Sequence, residues 1–165
     1  MNIQRIVRHL FTTHGQVGRA FPHSTLLAIE KAVEAGEAIH AGEIRFAVEA
    51  ALDGLPLFNG QSSRERALQV FALQRVWDTE RNNGLLIYLL LADRAVEIVA
   101  DRGIHSKVGA QGWSEICRQM ETAFKVGDYE SGAVVGIQAA AQHLAAHFPA
   151  DGHAGNELSN QPVLL

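Results

Sequence analysis

From Leu85 to Leu91 seven consecutive positions are apolar or aromatic (LLIYLLL), a run without polar alternation that suits a strand covered on both faces. Such a strand requires helices on either side. After the polar turn Ala92-Asp93-Arg94, the residues Val96, Ile98 and Ala100 alternate with Ala95, Glu97 and Val99, the period of two of a second strand. The turn is too short for a crossover, so this strand returns antiparallel to the first. Upstream, Ile44, Phe46 and Val48 alternate with Glu43, Arg45 and Ala47, which predicts a strand over 43–49, and its charged face suggests an edge or partly exposed position. The turn signals Asp53-Gly54-Leu55-Pro56 and Asn59-Gly60 predict a loop out of that strand. A helix over ERALQVFALQRVW follows, with Ala67, Val70, Phe71, Gln74 and Trp77 along one face and the capping-box spacing Ser62-x-x-Glu65 at its start. If the strands on either side of this helix are parallel neighbours, the crossover is right-handed.

Helical periodicity organises the flanks. The N-terminal IQRIVRHLF places Ile3, Ile6, Val7 and Leu10 on one side and Arg5, Arg8 and His9 on the other. This short amphipathic helix is expected to end near Thr13-His14-Gly15 and to dock onto the domain, a membrane-surface role being the lesser alternative. A loop then runs through Gly18 to Phe21-Pro22, followed by a helix with Leu26, Leu27, Ile29 and Val33 on its apolar side. Beyond the hairpin, 103–112 reads as a glycine-rich connection, 113–126 as a helix and 128–147 as a last helix stopped by Pro149. Gly132 and Gly136, four apart, indicate close packing against a neighbour, with a dimer face as the weaker option. The fold class is therefore α/β: a three-layer α/β/α sandwich around a small mixed β-sheet, with extra N-terminal helices. It divides into an N-terminal helical extension over 1–41, the domain itself over 42–148, and a tail over 149–165 that docks, adds a short strand or stays disordered.

Composition narrows the function classes. The chain has 165 residues, 14 Lys plus Arg against 18 Asp plus Glu, and a formal net charge of −4, with basic residues scattered, so nucleic acid is not the expected partner. Cys117 is the only cysteine, which excludes an internal disulfide framework, and its helical setting favours a buried structural role. No stretch approaches the ~20 apolar residues that span a bilayer, and no secretory signal is legible. The expected location is cytoplasmic, with a peripheral position at the membrane as its variant.

Strand direction decides which polar groups meet. With the first two strands parallel and the third antiparallel, one end of the sheet gathers Glu43, Asp78, Glu80 and Asp101, with Asn82 and Asn83 nearby. An oxygen-rich group of this kind suits a hard divalent cation. The plainer alternative is a solvated edge whose acids pair with Arg75, Arg81 and Arg102. The opposite end holds Asp93, Arg94 and the loop over 50–60, where open α/β sheets place ligands. His105 is expected in the glycine-rich loop beside the acidic edge, able to bind metal or shuttle protons. His143 and His147 stand four apart on a helix but lack the intervening glutamate of a helical zinc motif. There is no phosphate-binding glycine loop and no nucleophile elbow.

Five segments in order resemble the TPM domain family: Val76-Trp77, the strand entry Asn82-Asn83-Gly84-Leu85-Leu86-Ile87, Leu91-Ala92-Asp93-Arg94-Ala95-Val96-Glu97-Ile98, Arg102-Gly103-Ile104, and Phe124-Lys125-Val126-Gly127-Asp128-Tyr129. The resemblance runs from about residue 43 to 147 and implies an α/β/α sandwich. It also implies divalent-cation binding in some members, acid-phosphatase activity in a plant member, and association with membrane-protein assembly or repair, bacterial members often accompanying LemA-type membrane proteins. The chain departs from the family pattern where typical members carry Gly-aromatic-Gly-Leu-Glu and this one reads Asp101-Arg102-Gly103-Ile104-His105. Calcium ligation therefore does not transfer intact, and the swap softens the site toward a histidine-tolerant metal or abolishes it. Two functions follow as expectations. The first is a TPM-domain accessory or interaction protein working with a membrane-protein partner. The second is a phosphohydrolase holding a divalent cation (calcium, magnesium or zinc) through Asp78, Glu80, Asp101 and His105. Apart from that set, Glu43 at the same end and Asp93 and Arg94 at the opposite end are further candidate site residues.

Overall fold

The computed structural model describes residues 2–152 and 155–165. Its centre is a mixed sheet of order β3-β2-β1-β4, formed by β1 (Glu43–Glu49), β2 (Gly84–Leu90), β3 (Ala95–Ala100) and β4 (Val163–Leu164). β1 and β2 are parallel, with Glu43 opposite Gly84 and Glu49 opposite Leu90, and β3 returns antiparallel with Leu85 opposite Ala100. Every residue of β2 is buried because its two faces meet two different cores. Leu85, Ile87 and Leu89 join Ile44, Phe46, Val48 and Ile98 under helices α3 (His23–Glu37), α6 (Arg102–Lys125) and α7 (Tyr129–His147). Leu86, Tyr88 and Leu90 join Ala47 and Val99 under α4 (Gly54–Phe58) and α5 (Ser63–Leu73). At ~1.5–3 kcal/mol for each large apolar side chain fully removed from water, this double coverage explains why the Leu85–Leu91 run has no polar alternation. The architecture is the expected three-layer sandwich.

Several local expectations are corrected. The segment before Phe21 forms a helix, α2 (His14–Ala20), where a loop was expected: Thr13 opens it and the Gln16 side chain accepts a hydrogen bond from the Thr13 amide at 3.1 Å. The turn-rich stretch after β1 contains the short helix α4, which tolerates Pro56 because first-turn amides need no intrahelical partner. Helix α5 starts at the expected capping box, Glu65 Oε2 accepting from Ser62 N at 2.7 Å, but it stops at Leu73, and Arg75 at φ 53° leads the chain away so that Trp77 lies outside it. The expected glycine-rich connection over 103–112 is helical, since Asp101 caps α6 and only Gly109, at φ 75°, breaks the helix with a kink. β1 is an interior strand. Its Glu43 and Glu49 are buried because β4 covers one flank and α5 one face.

Gly132 and Gly136 lie buried beneath α6, where a Cβ on Gly136 would come within 2.3 Å of Met120 Sδ, so they serve helix packing and no dimer face. Gly84 is equally constrained, since an added Cβ would sit 1.9 Å from the Val76 carbonyl oxygen. The tail adds the strand β4, parallel to β1, and Arg45 holds its approach by donating to the Gln161 carbonyl at 3.2 Å. The free edge of β3 is occupied by side chains: Arg64 Nη1 donates to the Ile98 carbonyl at 2.6 Å and Glu121 Oε1 accepts from the Val96 amide at 3.0 Å.

Candidate functional site

Helix α1 (Ile3–Phe11) docks on the domain through Arg5, Ile6 and His9, so that most of its apolar side is turned away from the core. Asp93, in the turn between β2 and β3, is the anchor. Arg5 Nε and Nη2 donate to its Oδ2 at 3.0 and 2.8 Å, and His9 Nε2 lies 2.9 Å from its Oδ1. His9 Nδ1 accepts the Leu52 amide at 2.9 Å, so the ring proton is on Nε2 and is donated to Asp93. The His9 side chain is fully buried. Burial by itself would raise the Asp93 carboxyl, but the hydrogen bonds from Arg5 and His9 outweigh it and hold the group below its ordinary value. With Arg5, Ile6 and His9 turned inward, Ile3, Val7, Leu10 and Phe11 are left 68, 45, 65 and 75% exposed.

Beside this anchor, beyond the carboxyl end of β2, opens a cleft of about 960 Å³. It is lined by Arg8, Phe11 and Arg19 from α1 and α2, by Leu91, Ala92 and Arg94 from the turn between β2 and β3, and by Asp128, Tyr129 and Glu130 at the start of α7. Tyr129 is fixed by stacking on Phe124, with ring centroids 5.3 Å apart, and by the Phe21 ring at 5.3 Å. Glu130 accepts from Thr25 Oγ1 at 2.8 Å and Asp128 caps α7 by accepting from the Ser131 amide at 3.3 Å. Arg94 adopts φ 51°, which turns the chain tightly into β3. Among the described residues neither Arg19 nor Arg94 enters an ion pair. The position agrees with the general rule that open α/β sheets bind ligands beyond the carboxyl ends of parallel strands.

The opposite end of the sheet does bring Glu43 and Asp101 to the same side, since Glu43 pairs with Gly84 and the Asp101 amide donates to the Gly84 carbonyl at 2.9 Å. The remaining members of the expected metal set are spread out. Asp78 and Glu80 are exposed on the loop before β2, where the Glu80 amide donates to the Glu157 carboxylate at 3.0 Å. Asp101 accepts from the Arg102 amide at 2.6 Å as the cap of α6, and its Oδ2 is buried without a partner. His105 is exposed on α6, on a second cleft of about 410 Å³ that it shares with Arg64, Glu97, Trp113 and Cys117, and not in a loop. Burial, with Glu97 adding to it, pushes the Cys117 thiol up to about 12, as suits a structural residue. Arg81 pairs with Asp151 at 2.6 Å. Among the described residues no three His, Cys, Asp or Glu side chains are grouped to hold a metal ion, so the side chains present do not by themselves form a cation cage.

What sequence reasoning missed at this end is Glu37 and His40. Burial, and then the charge of Glu43, raises the Glu37 carboxyl to about 7, and its Oε1 has no hydrogen-bond partner. His40 is 1% exposed, its Nδ1 accepts the Gly42 amide at 3.2 Å, its Nε2 is unpartnered, and burial lowers it to about 4. Glu43 is also raised by burial, although its Oε2 accepts from the Leu158 amide at 3.0 Å. The only available signal was position: both residues lie just ahead of a strand whose beginning is covered by the distant tail. The roles of Arg5 and His9 had no local signal either, because their partner is 88 and 84 residues away.

The mixed four-stranded sheet, layered between helices and bearing its cleft at the carboxyl ends, defines a small α/β/α sandwich domain. The TPM domain family matches residues 19–143, and the chain belongs to that family. Among solved structures it is similar to the BA42 protein of the psychrophilic bacterium Bizionia argentinensis, determined by NMR, at 30% identity and a TM-score of 0.73 over 86% of this chain and 93% of that one. No curated protein matches. Among the described residues no helix is long and apolar enough to cross a membrane.

Proposed function

We propose that the protein is a non-enzymatic TPM-domain accessory module that acts through contact, at the periphery of a membrane and beside a membrane-protein partner. The observation that carries this reading is the orientation of α1: Arg5 and His9 fix it to Asp93, Ile6 packs inward beside them, and four large apolar side chains face outward. Docking through the apolar side would have removed those groups from water, so the anchor maintains a surface that is costly to expose and useful only when covered. Nearby, α4 adds exposed Leu55 and Phe58. The test is recovery of the tagged protein with native membranes and site-specific cross-linking from position 10. The expected result is a cross-link to a membrane component that disappears in Leu10→Ser/Phe11→Ser, and an unchanged pattern in that variant would overturn the reading.

The phosphohydrolase alternative retains one supporting observation, the buried and unpartnered Asp101 Oδ2 on the same end of the sheet as Glu43. It predicts a rise in melting temperature with calcium, magnesium, manganese or zinc, together with hydrolysis of a phosphomonoester. Both signals should disappear in Asp101→Ala and His105→Ala, and their absence from the wild-type protein removes this alternative.

A further inference from the structure

We infer that the outward side of α1 and the arginines that line the adjoining cleft form one docking surface for an anionic lipid bilayer. This rests on the contact role proposed above and names what the surface meets.

Ile3, Val7, Leu10 and Phe11 recur at intervals of four, three and one along the helix, so they form a single apolar face rather than scattered exposed groups. A protein partner of unstated chemistry would also cover such a face. Charge selects the bilayer. The first 29 residues contain Arg5, Arg8 and Arg19 and no Asp or Glu, whereas all 18 acids of this net-negative chain follow them. Arg5 is neutralised by Asp93 on the inner side, which leaves the apolar face free of acids on its own helix. Arg8 is 55% exposed and only 3.6 Å from Asp93, so its guanidinium reaches outward as well as inward. Phe11, at the end of the apolar face, lines the same cleft as Arg8, Arg19 and Arg94. Apolar side chains and guanidinium groups therefore occur side by side, the arrangement by which an interfacial helix inserts below the headgroups while cations meet lipid phosphates. Asp128 and Glu130 line the same cleft, but their carboxylates are engaged, Asp128 by the Ser131 amide at the start of α7 and Glu130 by Thr25.

The experiment is sedimentation of the full-length protein with protein-free vesicles of phosphatidylcholine alone or mixed equally with phosphatidylglycerol, at low and high salt. Partition into the anionic vesicles is expected to exceed that into neutral ones by roughly tenfold or more and to weaken with salt. Leu10→Ser/Phe11→Ser should lose on the order of tenfold in partition, and Arg19→Gln should lose severalfold on anionic vesicles only. Both variants alter exposed side chains, so an unchanged melting temperature shows that folding is not the cause. Equal binding to both vesicle types, or binding unaffected by the α1 variant, overturns the inference. If only native membranes containing proteins bind, the lipid inference fails while the contact role stands, and if neither binds, both fail. Competition by inorganic phosphate without any vesicle binding would assign the arginines to a free anion and likewise overturn it.

Discussion

The two ends of the sheet differ in how far their inward-facing polar side chains are satisfied. At the carboxyl end, Asp93 is held by Arg5 and His9, and Glu49 receives Arg66 at 2.8 Å on each oxygen and the Tyr88 hydroxyl at 2.6 Å. At the amino end, Glu37 and His40 carry buried atoms without partners, and burial pushes each toward its neutral form. Tyr88 shows the coupling at the first end from the other side, its hydroxyl being raised by burial and then by the Glu49 carboxylate beside it. A saturated carboxylate is a fixed point of attachment. An unsaturated one is a titrating group whose protonation state depends on the surrounding pH. The fold's charged anchors and the groups that burial drives toward neutrality therefore reside in separate places.

The largest loss of stability is expected from Asp93→Ala at the carboxyl end. The substitution strands Arg5, and removes the acceptor of the His9 proton, so unfolding by denaturant should show a loss of about 3–5 kcal/mol, the range for removing one partner from a buried pair. A loss below ~1 kcal/mol would mean that α1 is not anchored there. The amino end is tested by pH. A histidine lowered from 6.5 to about 4 on folding favours the neutral folded form, so its contribution is complete above pH 6.5 and is lost as the pH falls through that window. At ~1.4 kcal/mol per pH unit the loss is about 3 kcal/mol, and stability measured across the window should show a smaller fall in His40→Asn than in wild type.

Glu37 works in the other direction. Raised from 4.5 to about 7, its protonated form is favoured in the folded state, so stability decreases as the pH rises through that interval. Relative to wild type, Glu37→Gln should gain about 2 kcal/mol between those limits after allowance for solvent screening. Tyr88→Phe should cost roughly 1.5–3 kcal/mol, the value of one hydrogen bond to a charged group. The smallest effect belongs to Leu10→Ser/Phe11→Ser, whose stability should remain within about 0.5 kcal/mol of wild type because these side chains already face water.

The strands and most helices were legible from the chain because their signals are local. The unbroken Leu85–Leu91 run, the period of two after Arg94 and the Ser62–Glu65 box each determine geometry within a few residues. The same local reading placed β1 near an edge, because the neighbours that bury Glu43 and Glu49 are Leu158 and Arg66, remote in sequence. It also lost the first turns of α6, where Gly103 and Gly109 outweighed the cap at Asp101. The site was less legible still. Periodicity set Ile6 with the apolar side of α1 and Arg8 with the polar side, yet Ile6 packs inward and Arg8 is exposed, because the helix is turned by one carboxylate in a distant hairpin and no local pattern contains that information.

The guanidinium and carboxylate that plug the outer rung of β3 limit how copies of this molecule can associate. Ribbon-wise growth, in which one sheet templates the next, is hindered on that flank because the Ile98 carbonyl and the Val96 amide are already in use. Crowding many copies onto a surface therefore disfavours joining along this margin, where an incoming ribbon would first have to displace both side chains.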